Sequence, residues 1–214
     1  MCIIVSMMRT IALVSQKGGS GKTTLAVALA VAHELAGGDA VVIDLDPQGS
    51  AGVWSDLRGD DPPVVVAAHP PRLARALEAA RSAGASLAVI DMAPREAGGA
   101  VEAARCSDLV LVPCRPSAVD LAAIPASLDV GRLADTAAAV VLNAVPPRGD
   151  LAAQATEAVQ GFGAVAVPVT LGARVAHVRA FTAGRTAQET DPRSLAATEI
   201  KALYQWALTE GLKL

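Results

Sequence analysis

Aromatic residues are scarce in this 214-residue chain: two Phe, two Trp and one Tyr, about 2 % of the sequence. With so few rings, small apolar side chains must fill the core, which suits helices packed closely on a sheet. Cysteine is nearly absent too. Cys2, Cys106 and Cys114 are odd in number and form no C-x-x-C pair. That excludes a disulfide framework and a zinc or iron–sulfur site of the usual spacing, and it fits a reduced, cytoplasmic setting. No uninterrupted apolar run approaches the ~18 residues of a membrane-spanning helix. The first six residues, Met1–Ser6, are apolar but lack the basic start and small-residue cleavage site of a signal peptide. We read residues 1–8 as a tail, with 1–6 as a start-site extension, and 9–214 as one domain. No internal repeat or low-complexity linker divides it.

Alanine and valine fill the space that aromatics leave, and the chain is 52 % hydrophobic with a net charge of −3. Short apolar runs at Thr10–Ser15, Ala40–Asp44, Val64–Ala67, Leu87–Asp91, Leu109–Val112, Ala138–Asn143 and Ala164–Val167 read as strands buried on both faces. Helical segments are expected at 22–36, 71–83, 96–105, 118–133, 151–160, 174–182 and 193–209. Strict alternation of this kind predicts an α/β fold: a single domain with a mostly parallel sheet flanked by helices on both faces. Ligands of such sheets lie beyond the carboxyl ends of the strands.

The richest stretch is Gln16-Lys17-Gly18-Gly19-Ser20-Gly21-Lys22-Thr23-Thr24. It follows G-x-x-x-x-G-K-[ST] except that Gln16 replaces the first glycine, and it joins a strand to an apolar helix as a phosphate-binding loop must. Gly18, Gly19 and Gly21 let successive N–H groups turn inward around phosphate oxygens. Lys22 can reach the β and γ phosphates, the Thr23 hydroxyl can bind Mg²⁺, and the following helix aims its positive end at the same anion. Lys17 is needed by none of this. A nucleotide bound by a facing subunit would supply its negative partner.

Carboxylates cluster at the other strand ends. Asp44 and Asp46 fall on one side of the chain before Pro47, where they suit Mg²⁺ ligation and the orientation of a water. Asp91 ends the apolar run Leu87–Ile90 and places a third carboxylate near Mg²⁺. The Asn143 amide offers a donor and an acceptor that match an adenine edge; the alternative is a strand-end turn. His33, His69 and His177 show no catalytic pairing.

Lys17–Thr24 resembles the deviant phosphate loop of the ParA/MinD superfamily of P-loop ATPases, and Asp44-Leu45-Asp46-Pro47-Gln48-Gly49-Ser50 is similar to the segment that follows it in the ParA branch. Ser107–Pro113 with Pro116, Ser117 and Asp120, and the stretch from Leu171 through Arg174, Ala180, Gly184 and Glu189, resemble further ParA blocks. The resemblance implies a P-loop NTPase fold with a deviant Walker A loop and an ATPase that binds ATP and Mg²⁺. Lys22, Ser20, Thr24 and the loop glycines would hold phosphate. Thr23, Asp44 and Asp91 would serve the metal, Asp46 would position water, and Asn143 would lie near adenine. Lys17 would reach across an ATP-closed homodimer. The implied function is plasmid or chromosome segregation through non-specific DNA binding, with hydrolysis stimulated by a ParB-like adaptor protein. The alternatives are a ParA-like ATPase that positions a protein cargo and a MinD-like membrane-associated ATPase.

Residues 172–214 carry six basic against four acidic side chains on an otherwise acidic body. Arg174, Arg179 and Arg185 are the candidate DNA contacts, and solvated helix-face arginines are the alternative reading. The C-terminal helix has an apolar face at Ile200, Leu203, Tyr204, Ala207 and Leu208, but few cations. It reads as a core helix and not as a membrane anchor.

Overall fold

Continuous apolar strands need cover on both faces, and the computed structural model, which describes residues 8–94 and 97–214, supplies it. Among the described residues seven strands form one sheet: β1 (Arg9–Leu13), β2 (Ala40–Asp44), β3 (Val64–Ala67), β4 (Leu87–Asp91), β5 (Leu109–Cys114), β6 (Ala138–Leu142) and β7 (Val165–Ala166). Their order is β3-β2-β4-β1-β5-β6-β7, and every pairing is parallel. The chain runs outward from β1 to one edge, returns beside β1 as β4, and then builds the other edge. The strand ends around β1 are therefore the crevice where a ligand fits.

The helices are α1 (Lys22–Leu35), α2 (Ser50–Arg58), α3 (Leu73–Ser82), α4 (Ala97–Arg105), α5 (Ala118–Leu121), α6 (Ile124–Ala134), α7 (Leu151–Gly161), α8 (Val175–Phe181), α9 (Ala187–Thr190) and α10 (Leu195–Thr209). Strand alternation sorts the core into two layers. Ile11, Leu13, Leu87 and Val89 face α1, α2 and α10, while Ala12, Val14, Ala88 and Ile90 face α3, α4, α6 and α7. Every residue from Leu25 to Ala32 of α1 is buried, because that helix is wedged between the sheet and α10. Ile200, Leu203 and Ala207 of α10 are buried in the same layer, so its apolar face is occupied by the core. Among the described residues no helix is long and apolar enough to cross a membrane.

Several expectations need correction. Val64–Ala67 is an edge strand with one neighbour, and Val64 and Val66 are exposed, not buried on both faces. The helix expected at 118–133 is two helices. Pro125 has no N–H to continue the ladder, but it fits the first turn of α6. Residues 50–58, outside the expected helices, form α2. Met8, just before β1, is buried in the core. The proposed extension at residues 1–6 lies outside the described residues.

Candidate functional site

The loop leaving β1 is tied from several directions. The Gln16 amide donates to Ser127 Oγ (3.3 Å) and the Lys17 amide to Ser15 Oγ (3.3 Å). Gly21 caps α1 in the left-handed region, at φ 95°. A Cβ there would lie 2.3 Å from Asn143 Nδ2, so only glycine allows this approach. Asn143 Nδ2 donates to the Ser20 carbonyl (2.7 Å), and its Oδ1 accepts from the Ala144 amide (2.8 Å). Asn143 thus braces the phosphate loop from the end of β6.

Lys22 is buried at the start of α1, with Nζ 3.5 Å from the Lys17 carbonyl. Burial lowers its pKa, and the carboxylates of Asp91 and Asp46 pull the other way. Thr23 and Thr24 are half-buried beside it, and Ser20 Oγ is buried without a hydrogen-bond partner. Lys17 is half-buried and makes no ion pair with any described residue.

Asp44 and Asp91 are register partners on adjacent strands. Asp44 Oδ1 accepts from the Asp46 amide (3.0 Å), and Oδ2 accepts from the amides of Ala51 (3.2 Å) and Gly52 (3.3 Å). The expected metal ligand is therefore engaged as the cap of α2. Its pKa is raised by burial, against the pull of these three donors. Asp46 is half-buried; its Oδ1 accepts from the Gln48 amide (2.9 Å). Asp91 is the contrast: it is buried, and neither oxygen has a hydrogen-bond partner. Burial lifts its pKa to about 7. The Thr23 hydroxyl pulls it down without the geometry of a formed hydrogen bond, Asp44 adds like-charge repulsion, and Lys22 attracts.

An orphaned carboxylate beside a threonine hydroxyl fits Mg²⁺, a cation that takes oxygen ligands. Among the described residues no three His, Cys, Asp or Glu side chains converge into a cage. Mg²⁺ characteristically binds through one or two carboxylates and completes its shell with substrate phosphates and water.

Beside the loop lies a cavity of about 450 Å³ whose lining includes Gly19, Thr24, Arg115, Asn143, Arg174 and His177. Its size and its contact with the loop suit a nucleoside. Arg115, which the sequence reading passed over, donates to the Gly19 carbonyl. Its place after β5, between Pro113 and Pro116 of the block that resembles ParA, is the signal that could have found it.

The three arginines expected to contact DNA are not alike. Arg174 makes a two-pronged pair with Glu199, with Nε 3.0 Å from Oε2. Arg185 pairs with Asp61 (2.8 Å) and more distantly with Glu189 (3.5 Å). Arg179 is exposed on α8 and makes no ion pair among the described residues. A guanidinium already beside a carboxylate adds little to the field that a polyanion meets. The geometry therefore gathers no patch of three free cations.

The structure adds one joint that the sequence did not suggest. Arg58, at the end of α2, makes a two-pronged pair with Glu189 (2.8 and 3.1 Å) and donates to the Gly184 carbonyl (3.0 Å). Its guanidinium lies 4.9 Å from the Trp54 ring centre, and the Trp54 indole N–H donates to the Arg185 carbonyl (3.2 Å). The helix that Asp44 caps is thereby fastened to residues 184–189.

A parallel sheet with a glycine-rich loop between β1 and α1, a buried lysine and a bare carboxylate opposite defines a P-loop nucleotide-binding protein. Residues 11–169 match the CobQ/CobB/MinD/ParA nucleotide-binding domain, and the chain belongs to that family. It is 35 % identical, over 185 residues, to maintenance of carboxysome distribution protein A of Gloeobacter kilaueensis, covering 82 % of each chain. Its fold resembles that of Cyanothece McdA in an ATP complex (TM-score 0.70, 16 % identity, 95 % of this chain and 97 % of that one). It also resembles the cell division ATPase MinD of Pyrococcus furiosus (TM-score 0.72, 21 % identity, 93 % and 98 %). The protein is a ParA/MinD-type ATPase, and its nucleotide is ATP taken with Mg²⁺.

Proposed function

We propose that this ATPase positions a protein assembly in the cell, cycling between single subunits and an ATP-closed homodimer. The observation behind the choice of cargo is the 35 % identity, over 82 % of both chains, to a protein named for carboxysome distribution. Segregation of plasmids or chromosomes, the first expectation from sequence, therefore gives way to the positioning alternative. The ion pairs of Arg174 and Arg185 point the same way, since they weaken the case for a dedicated DNA patch.

In this reading the loop amides and Lys22 hold the β and γ phosphates, and Asp91 with Thr23 holds Mg²⁺, which would neutralise phosphate charge. Water attacks the γ-phosphorus, the bond to the β–γ bridging oxygen breaks, and ADP and phosphate leave. Asp46, with one oxygen tied to Gln48 and the other available, orients that water. Burial and a lowered pKa make Lys22 a cation that gains from phosphate contact more than an exposed lysine would. Lys17, with no ion pair among the described residues, supplies charge to the nucleotide of a facing subunit, so closure depends on the γ-phosphate. An adaptor protein on the cargo would stimulate the reaction.

The test is removal of the gene, followed by imaging of large protein assemblies and by plasmid and chromosome retention assays. The expected outcome is clustered or mislocalised assemblies with unchanged DNA retention. DNA loss with normally spaced assemblies would overturn the reading in favour of partition. Lys17→Ala should bind nucleotide as a single subunit but form no ATP-dependent dimer on size exclusion.

A further inference from the structure

We propose that Arg115 is a phosphate-contacting residue of this site, whose guanidinium moves from the Gly19 carbonyl onto the phosphates of bound nucleotide. The proposal rests on the phosphate-loop roles proposed above and assigns a new member to that binding machinery.

Arg115 follows β5, and its backbone is held in place. Its carbonyl accepts from the Ser117 amide (2.8 Å) and from Cys114 Sγ (3.2 Å). The side chain is exposed and reaches across to a loop 96 residues away in sequence, where Nη2 donates to the Gly19 carbonyl. Gly19 lies in the left-handed region at φ 71°, and a Cβ there would stand 3.0 Å from Nη2. The absence of a side chain at Gly19 thus leaves room for a guanidinium against the loop. Arg115 also lines the cavity beside the loop, so it sits on the seam between the phosphate cradle and the nucleoside space.

Its charge is uncompensated among the described residues. Arg174, on the wall of the same cavity, is paired with Glu199. Arg115 makes no ion pair with any described residue and rests on a neutral carbonyl. A guanidinium has five N–H donors in a planar fork that matches phosphate oxygens. Charge-assisted bonds to phosphate are roughly twice as strong as bonds to neutral acceptors. An anion arriving in the cradle therefore draws the side chain off Gly19 by a short swing.

The test compares wild type, Arg115→Gln, Arg115→Lys and Lys22→Ala, at concentrations where size exclusion shows single subunits. Binding of ADP with Mg²⁺ is measured by calorimetry and binding of adenosine by NMR titration. Arg115→Gln removes the charge and shortens the side chain, whereas Arg115→Lys keeps a long cationic donor. Arg115→Gln should weaken ADP binding roughly tenfold or more, as loss of one hydrogen bond to a charged group does. Adenosine binding should stay within about twofold of wild type, and Arg115→Lys should recover part of the loss. Arg115→Gln with wild-type ADP affinity would overturn the proposal, reducing Arg115 to a tie for the loop. Equal weakening of ADP and adenosine would also overturn it, as a folding effect. Wild type that binds no ADP, or that matches Lys22→Ala, would instead sink the assignment of the phosphate-loop site itself.

Discussion

Asp44 and Asp91 stand side by side at the ends of β2 and β4, equally buried, and the protein treats them in opposite ways. Asp44 receives three backbone N–H groups and fixes the start of α2. Asp91 receives none and waits with both oxygens bare. Burying a carboxylate without partners costs stability, and its pKa of about 7 expresses that cost. The contrast separates a carboxylate held by backbone donors from one whose oxygens are unpartnered.

The largest expected effect is on stability against pH. The folded pKa of Asp91 is about 7, against an ordinary 3.8. The folded state therefore holds its proton more tightly than the unfolded state across that window. Stability contributed by this group is full below pH 3.8, falls as pH rises, and is lost above about 7. At ~1.4 kcal/mol per unit this amounts to roughly 4 kcal/mol. Urea melts of nucleotide-free protein should show the gap between Asp91→Asn and wild type widening by that order from pH 4 to pH 8. A constant gap would mean that Asp91 is not the bare carboxylate described above.

The next effect separates the pair by activity. Asp91→Asn should cut Mg²⁺-dependent ATP hydrolysis by about 100-fold, roughly 2.7 kcal/mol of barrier. Asp44→Asn, which keeps one acceptor oxygen for the α2 amides, should lose much less. Equal losses in a phosphate-release assay would erase the distinction. Third, Asp44→Ala strands buried N–H groups and should destabilise the fold by about 2 kcal/mol in urea at pH 7. The smallest change is a control on the surface. Removing the exposed Arg132–Asp129 pair should shift stability by no more than about 0.5 kcal/mol.

The phosphate loop, the strand ends and the parallel sheet were legible because each rests on local signals: glycine spacing, apolar runs and the residue that closes them. Other features depended on distant partners. Helix α2 was hidden because Pro47, Gly49 and Gly52 read as a turn, and the residue that caps it lies seven positions back at Asp44. The Arg58–Glu189 pair joins residues 131 apart and leaves no trace in spacing. The same holds for Arg174 and Arg185, which look like free cations until Glu199 and Asp61 appear beside them. Burial of β3 was overread, since a valine run looks the same at a sheet's edge as at its centre.

Trp54 is one of two tryptophans and has no solvent-exposed surface. It lies beneath the Arg58 guanidinium on the helix whose first turn Asp44 holds. An indole so placed is an intrinsic optical reporter. With Trp206 replaced by Phe, the emission wavelength and quenching of the remaining ring register any loosening between α2 and residues 184–189. Events at the strand ends can then be followed in real time with no attached dye.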